Sequence, residues 1–294
     1  GARDTTGTPG SSADNAYPSA IRPYRSHTPG RIAPGDLVLL PPVAGMRIVD
    51  AHVHIFPDEI VQYRERFLAR DDWFRQLYES PRSRLATAHD LIFSMDECGI
   101  AISIACGFPW RDQGLCRYHN DYMCEAARMY PDRIAWLAIC SPATGEAAAR
   151  SLDDAISDGC CGAGELNGDA QGFDLADAGT LAALAEVCIV RDKPAMFHIS
   201  EPVGHDYPGK GASTPEKLVK LLAAYPDLRL VAAHWGGGLP FYELMPEIKT
   251  ATVNLAYDSA ASTYLYDHRV FETTVELAGE TRVLFASDFP VLKQ

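Results

Sequence analysis

The sequence lacks any apolar run approaching the roughly 20 residues that a membrane-spanning helix needs, so no transmembrane segment is expected. No signal-peptide pattern leads it, and none of its eight cysteines falls into a paired CxxC arrangement. That excludes zinc-finger spacing and argues against the disulfide framework of small secreted domains. Cys98, Cys106, Cys140 and Cys188 lie inside apolar segments and read as small core residues, while Cys160 and Cys161 adjoin and precede Gly162. A reducing cytoplasm is the expected setting. Positive charge is short as well: 26 Lys and Arg against 39 Asp and Glu leave a net charge of −13. Nucleic acid and anionic membrane surfaces are therefore disfavoured as partners. A small acidic substrate is not, because a metal or an arginine nearby outweighs the global field.

What is present is enough for a sizeable core: 294 residues, 47% of them hydrophobic, suit one large domain or two small ones. Residues 1–45 are rich in Gly, Pro, Ser, Thr and Arg and show no sustained periodicity. Such a composition cannot bury enough apolar surface to offset its ordering entropy, and a disordered or loosely attached leader is expected, with Leu37 to Leu40 touching the domain. Met46 directly precedes the first strand and is a natural start for a domain over 46–294. The chain stops at Gln294, six residues after Asp288, and is expected to be cut short there.

From Met46 onward, short β-rich runs alternate with helical patterns. The strand candidates are Arg47–His54, Ile100–Gly107, Arg133–Ser141, Cys160–Asn167, Pro194–Ile199, Leu228–His234, Thr252–Asp258 and Arg282–Asp288. They are rich in Ile, Val, Leu and Ala, as parallel strands covered on both faces are. Helical patterns run over Ala88–Cys98, Asn120–Tyr130, Gly145–Asp158, Gly179–Arg191, Pro215–Tyr225, Phe241–Ile248 and His268–Ala278. Gly99, Pro131 and Gly159 punctuate the ends of the first three, and Pro215 follows Ser213-Thr214 at a capping position. Asn120 and Asp121 read as helix caps. Eight strands with intervening helices over roughly 250 residues predict an α/β fold of the (β/α)8 TIM-barrel type. The runner-up, an open doubly wound sheet, binds nucleotides through a Gly-rich turn, and no GxGxxG or P-loop follows Asp50. With the chain ending after the eighth strand, its final helix is expected to be missing, leaving an exposed seam between first and last units. The connection Ile55–Thr87 is long for a barrel and carries Phe56, Tyr63, Phe67, Trp73, Phe74 and Tyr78, which suits a lid or pocket wall.

In a barrel the carboxyl ends of all strands meet on one face. The first strand ends in Asp50-Ala51-His52-Val53-His54, and side chains two apart on a strand point the same way. Two imidazoles thus leave one strand side by side, as metal ligands would. Glu165 ends the fourth strand, His198 the fifth, His234 the sixth and Asp288 the eighth. A single histidine in such a place is more often a satisfied core residue. Histidines and acids in phase across five strands are hard to attribute to chance.

This pattern resembles the amidohydrolase superfamily, and more closely its amidohydrolase-related branch, which includes aminocarboxymuconate semialdehyde decarboxylase and several carboxylate-lactone hydrolases. The likeness runs from Met46 to Gln294. It is carried by Asp50-Ala51-His52-Val53-His54, Pro131-Asp132-Arg133, Gly164-Glu165, Phe197-His198, Ala233-His234-Trp235-Gly236-Gly237 and Ser287-Asp288-Phe289-Pro290. The resemblance implies that His52, His54 and His198 bind one divalent ion together with Asp288, which also handles a proton. It implies that His234 is a second-site ligand or polarises substrate or bound water. Zinc suits three imidazoles and a carboxylate with a position left open for water; manganese or iron would also fit. Such an ion lowers the pKa of its water from 15.7 to about 7, and Asp288 is the natural acceptor for the proton. Glu165 either bridges to a second ion, shared with His234, or orients an imidazole.

Around this centre, Glu201, His205 and Lys210 in the Gly- and Pro-rich segment 200–211 are candidate substrate contacts, and Arg111 is a candidate clamp for a substrate carboxylate. Tyr257 and Asp258 end the seventh strand and are read as pocket wall. Three functions compete. A hydrolase would turn metal-activated water on a C–N, lactone or ester bond of a small substrate, with or without a carboxylate. A non-oxidative decarboxylase would act on an aromatic or muconate-like acid. A barrel that binds metal without catalysis is the third. Among relatives, decarboxylases of phenolic acids often carry Glu in place of the first histidine, so His52 tilts the expectation toward hydrolysis. The expected partner is a small molecule, and assembly into a homo-oligomer is left open.

Overall fold

The alternation read from the sequence is realised strand by strand in the computed structural model, which describes Gly1 and residues 45–294. The chain divides into Gly1–Met46 and Arg47–Gln294, and the account below concerns the second unit. The leader expected over 1–45 lies, apart from its two end residues, outside the described residues. Strand β1 spans Ile48–His54, β2 Ile100–Cys106, β3 Ile134–Leu137, β4 Ala163–Leu166, β5 Ala195–Phe197, β6 Leu230–Ala232, β7 Leu255–Asp258 and β8 Val283–Leu284. All paired strands are parallel, in the orders β1-β2-β3 and β4-β5-β6-β7-β8. Two single bridges join the sets, Ala138 with Ala163 and Val53 with Phe289. Backbone bonds reinforce both junctions: Gly164 N–H donates to Ala138 O at 2.9 Å, and Asp288 N–H donates to His52 O at 3.0 Å. The ring closes, as a (β/α)8 barrel requires.

Pleat alternation divides the core in two. Ala105, Trp136, Ala195, Phe197, Leu230 and Ala232 face the helices, whereas their strand neighbours Ile104, Cys106, Leu137, Met196 and Val231 belong to a separate inward cluster. The helix Ala88–Cys98 shows why the outer layer forms where it does. Thr87 and Asp90 make a reciprocal capping box, Leu91 and Met95 are buried one turn apart, and Gly99 closes the end in a left-handed conformation at φ 72°. At the seam between β1 and β8 the apolar residues Val49 and Phe285 are exposed. Among the described residues no helix is long and apolar enough to cross a membrane, and all eight cysteines are free thiols.

Several local expectations are corrected. The second helix starts at Gln113, capped by Asp112, so Asn120 sits mid-helix. There it exchanges two 2.8 Å hydrogen bonds with the backbone of Ile139, extending the order of β3 by a side chain. Thr214 is the residue before Pro215 but makes no side-chain cap; Ser213 reaches Asp169 instead. In place of a helix over Phe241–Ile248, 3-10 turns cover His234–Leu244 and a short helix covers Pro246–Ala251. The cause lies upstream. Residues His234 to Gly238 all have positive φ, which glycine tolerates and which prevents a right-handed helix from starting there. At Gly237 even an alanine would fail, because its Cβ would lie 2.5 Å from Ser200 O.

The connection between β1 and the first crossover helix holds three short helices, Asp58–Gln62, Arg64–Leu68 and Asp72–Tyr78. It has an apolar cluster of its own in which Phe56, Phe67, Phe74 and Tyr78 meet Phe108 and Trp110. His119, fully buried, ties that cluster to the barrel. Its Nδ1 accepts from Trp110 Nε1–H at 3.0 Å and Phe108 N–H at 3.2 Å, and its Nε2 lies 2.6 Å from Ile55 O. Burial pushes this imidazole down to about 4, against an ordinary 6.5. The folded state therefore prefers the neutral ring, and the stability this contributes is present above pH 6.5 and lost as pH falls toward 4. The expected loss is about 1.4 kcal/mol per pH unit and about 3 kcal/mol in all. Urea unfolding of the wild type and His119→Phe at pH 7 and pH 5 checks this. The variant should be less stable at pH 7 and distinctly less acid-sensitive; parallel pH dependences would refute it.

Candidate metal centre

The barrel brings six side chains to the carboxyl ends of five strands. His52 and His54 come from β1, Glu165 from β4, His198 from the residue after β5, His234 from the turn after β6 and Asp288 from the segment after β8. His198 is half-buried and the other five are buried. His234 and Asp288 both sit in left-handed backbone, at φ 57° and 63°, a conformation that costs about 1–2 kcal/mol and persists where the surroundings hold it.

Their ligand atoms converge. His52 Nε2 and His54 Nε2 are 3.0 Å apart, and Asp288 Oδ1 is 3.5 Å from His54 Nε2. On the other side His198 Nδ1 and His234 Nε2 are 3.1 Å apart. Glu165 faces both groups: Oε2 lies 3.6 and 3.7 Å from the Nε2 atoms of His52 and His54, and Oε1 lies 3.1 and 3.3 Å from His198 Nδ1 and His234 Nε2. Donors bound at 2.0–2.2 Å to one ion in tetrahedral or octahedral shells are separated by about 2.8–3.6 Å. All the observed spacings but the 3.7 Å from Glu165 to His54 fall within that range. Two sets, His52–His54–Asp288 and Glu165–His198–His234, each keep their ligand atoms within 4.8 Å of one another.

The electrostatics ask for a cation. Burial would raise Glu165, but His52 and His198 hold it well below the usual carboxylate range, helped by hydrogen bonds from His198 and His234. Burial would lower His52 and His234; the Glu165 carboxylate beside both overcomes it, raising His52 well above its ordinary value and His234 to about 9. His54, buried beside the positive His52, is lowered to about 3. Asp288 is pushed up to about 6, mainly by burial. The protein groups alone thus draw protons onto His52 and His234 to balance two buried acids. A divalent ion supplies the same charge with neutral imidazoles, so the residues fit a metal.

The centre floors a cavity of about 310 Å³. Its walls include Trp73, Leu77 and Tyr78 of the long connection, Phe108 and Pro109 after β2, and Tyr264 and Leu265 after β7. The long connection therefore does form pocket wall, while also packing as a small core. Of the proposed substrate contacts, His205 lines the cavity at its exposed rim, together with Tyr207. Arg111 does not: it is exposed, absent from the lining, and its guanidinium rests against Gly172. Lys210 turns back on its own loop, its Nζ donating to the carbonyls of Val203, Gly204 and His205 at 3.2, 3.4 and 3.0 Å. Glu201 accepts from the Tyr207 hydroxyl at 2.6 Å and lies outside the lining. No Lys or Arg is among the described residues that line the cavity.

Tyr257 and Asp258 are not pocket wall either. Tyr257 points outward and donates to Glu243 Oε1 at 2.7 Å, while Asp258 lies fully buried behind His52. Asp258 and His119 are among the polar residues whose importance no sequence pattern announces. The signal available for Asp258 was its place: an acid at the end of β7, in step with His234 and Asp288 after the neighbouring strands.

A family model described as amidohydrolase matches residues 49–294. No curated protein matches. Among solved structures, 5-carboxyvanillate decarboxylase from Sphingomonas paucimobilis is 18% identical, with 84% of this chain and 90% of that one covered at a TM-score of 0.70. The 5-carboxyvanillate decarboxylase of Novosphingobium aromaticivorans, complexed with manganese and 4-hydroxy-3-methoxy-5-nitrobenzoic acid, is 20% identical over 85% and 88% of the chains at 0.67. A dihydroxybenzoic acid decarboxylase from Polaromonas sp., with manganese and 2-nitroresorcinol bound, is 20% identical over 84% and 88% at 0.64.

Proposed function

The chain belongs to the amidohydrolase family, and from that premise we propose that it is a metal-dependent, non-oxidative decarboxylase of a hydroxylated aromatic acid. The observation that carries the reading is the aromatic-walled cavity opening directly onto the metal ligands. Its volume is at the small end of ligand sites, about 300–1,000 Å³, and suits one substituted ring. The fold likeness to three decarboxylases of carboxylated phenols supports it.

Each residue has a task in that chemistry. His52, His54 and Asp288 would hold one ion; the ligand atom of His198, expected to join them, groups instead with Glu165 and His234, a set that would suit a second ion. When bound, the ion supplies positive charge that binds the substrate's oxygen groups, and manganese deserves trial beside zinc because two of the similar structures contain it. With no Lys or Arg among the described lining residues, the ion's charge would be what holds the substrate carboxylate. Trp73, Tyr78 and Phe108 flank the ring and keep water from it. Asp288 lines the cavity beside His54 and is the buried carboxyl placed to carry a proton to the substrate. It delivers this proton to the ring carbon that bears the carboxylate. The C–C bond then breaks, its electron pair restores the aromatic ring, carbon dioxide leaves, and Asp288 regains a proton from solvent.

One observation favours hydrolysis as a second reading: His52 stands where phenolic-acid decarboxylases of this family often have Glu. Both readings are tested together. Chelator-stripped protein reloaded with manganese or zinc is given dihydroxybenzoates and carboxylated phenols beside a lactone and amide panel, with carbon dioxide followed directly. Metal-dependent carbon dioxide release is the expected result. Lactone or amide cleavage without it would transfer the assignment to hydrolysis, and tight metal with no turnover on either panel would leave a metal-binding barrel.

A further inference from the structure

We propose that Asp258 is a positioning residue that dictates which nitrogen His52 presents to the metal and, through its second oxygen, holds His234 in place. This rests on the metal-centre reading above. Asp258 ends β7 with no exposed surface. Its Oδ2 lies 2.9 Å from His52 Nδ1, and its Oδ1 accepts from the backbone N–H of His234 at 2.9 Å and of Ala260 at 3.1 Å. Its one ionic partner among the described residues is His52.

A carboxylate only accepts hydrogen bonds. Nδ1 of His52 must therefore carry the proton, which leaves the lone pair on Nε2, facing His54 Nε2 at 3.0 Å and Glu165 Oε2 at 3.6 Å. A metal-binding imidazole is usually fixed in this way by a partner on its far nitrogen. The other oxygen satisfies the N–H of His234, whose left-handed backbone at φ 57° needs an external partner to persist. One carboxylate on β7 thus sets two histidines that come from β1 and from the turn after β6.

Tautomer control and simple structural support make opposite forecasts for two substitutions. Asp258→Asn keeps the size and one oxygen for the two N–H groups, so its NH2 is left against His52 Nδ1. A donor there favours the wrong tautomer, with the proton on Nε2 and no lone pair for the ion. Asp258→Ala removes the support but imposes no tautomer. A supporting role makes Ala the worse change; tautomer control makes Asn the worse one for metal.

The experiment measures manganese and zinc dissociation constants by calorimetry on the chelator-stripped full chain, alongside thermal unfolding without metal. Asp258→Asn is expected to weaken metal binding about 10–100-fold. Asp258→Ala should weaken it less while unfolding at lower temperature than the Asn variant. Asp258→Ser, whose hydroxyl serves either tautomer, replaces Ala if that variant does not fold, with the same ranking expected. Wild-type affinity in Asp258→Asn, or weaker binding in Ala or Ser than in Asn, overturns the proposal and leaves the metal centre standing. Failure of the wild type to take up either ion overturns both.

Discussion

Asp288→Asn, assayed at saturating metal, should lower kcat by about 10²–10⁴-fold, the range for loss of a positioned proton donor. The upper part of that range is expected because the same carboxylate lies 3.5 Å from His54 Nε2 and, on the proposed reading, would serve the metal as well as the proton. Asparagine is the informative replacement. It matches aspartate in size and tolerates the left-handed backbone at φ 63°, so the fold around β8 is preserved. It can still offer an oxygen to an ion but cannot carry a proton at neutral pH. Metal affinity should fall less than turnover does, and thermal stability should change little. A kcat within tenfold of wild type would remove Asp288 from proton transfer and leave it as a ligand alone.

The barrel and the polar residues gathered at its strand ends were legible because they are written in local patterns. Strand runs of Ile, Val, Leu and Ala, the capping box at Thr87 and Asp90, and Gly99 at a helix end each specify structure within a few residues. The HxH of β1 and the polar residues at later strand ends needed only the added rule that carboxyl ends share a face. What escaped were side chains whose partners are distant in sequence. Asn120 and His119 read as ordinary helix residues, because their value lies in backbone groups of Ile139 and Ile55. Arg111 and Lys210 were read by charge, yet long flexible chains go to the nearest carbonyls or glycine surface rather than to the cavity. Asp258 was read one layer too far forward. Its register placed it behind an imidazole, and no spacing rule distinguishes the wall of a pocket from the support of a ligand.

Away from the centre, Arg282→Ala should cost about 3–5 kcal/mol of stability, the penalty for stranding a buried charge. Glu243 has no exposed side-chain surface and pairs with Arg282 through both oxygens: Nη1 donates to Oε1 at 3.0 Å and Nη2 to Oε2. Tyr257 of β7 adds its hydroxyl to Oε1. Arg282 also donates to the carbonyls of Thr252 at 2.8 Å and Ala278 at 2.9 Å, so it joins the approach to β7, the end of the preceding helix and the turn after β6. Removing it leaves a carboxylate in an apolar surrounding with only a hydroxyl for company. The contrast that tests the cause is the double replacement Arg282→Met with Glu243→Leu. Desolvating two ions offsets much of their mutual attraction, so an apolar pair of similar volume should recover most of the loss. Full recovery is not expected, since the carbonyls of Thr252 and Ala278 lose their donor. Denaturant unfolding of the two variants decides it: a double variant as unstable as Arg282→Ala would mean that the carbonyl strap, not the stranded charge, sets the cost.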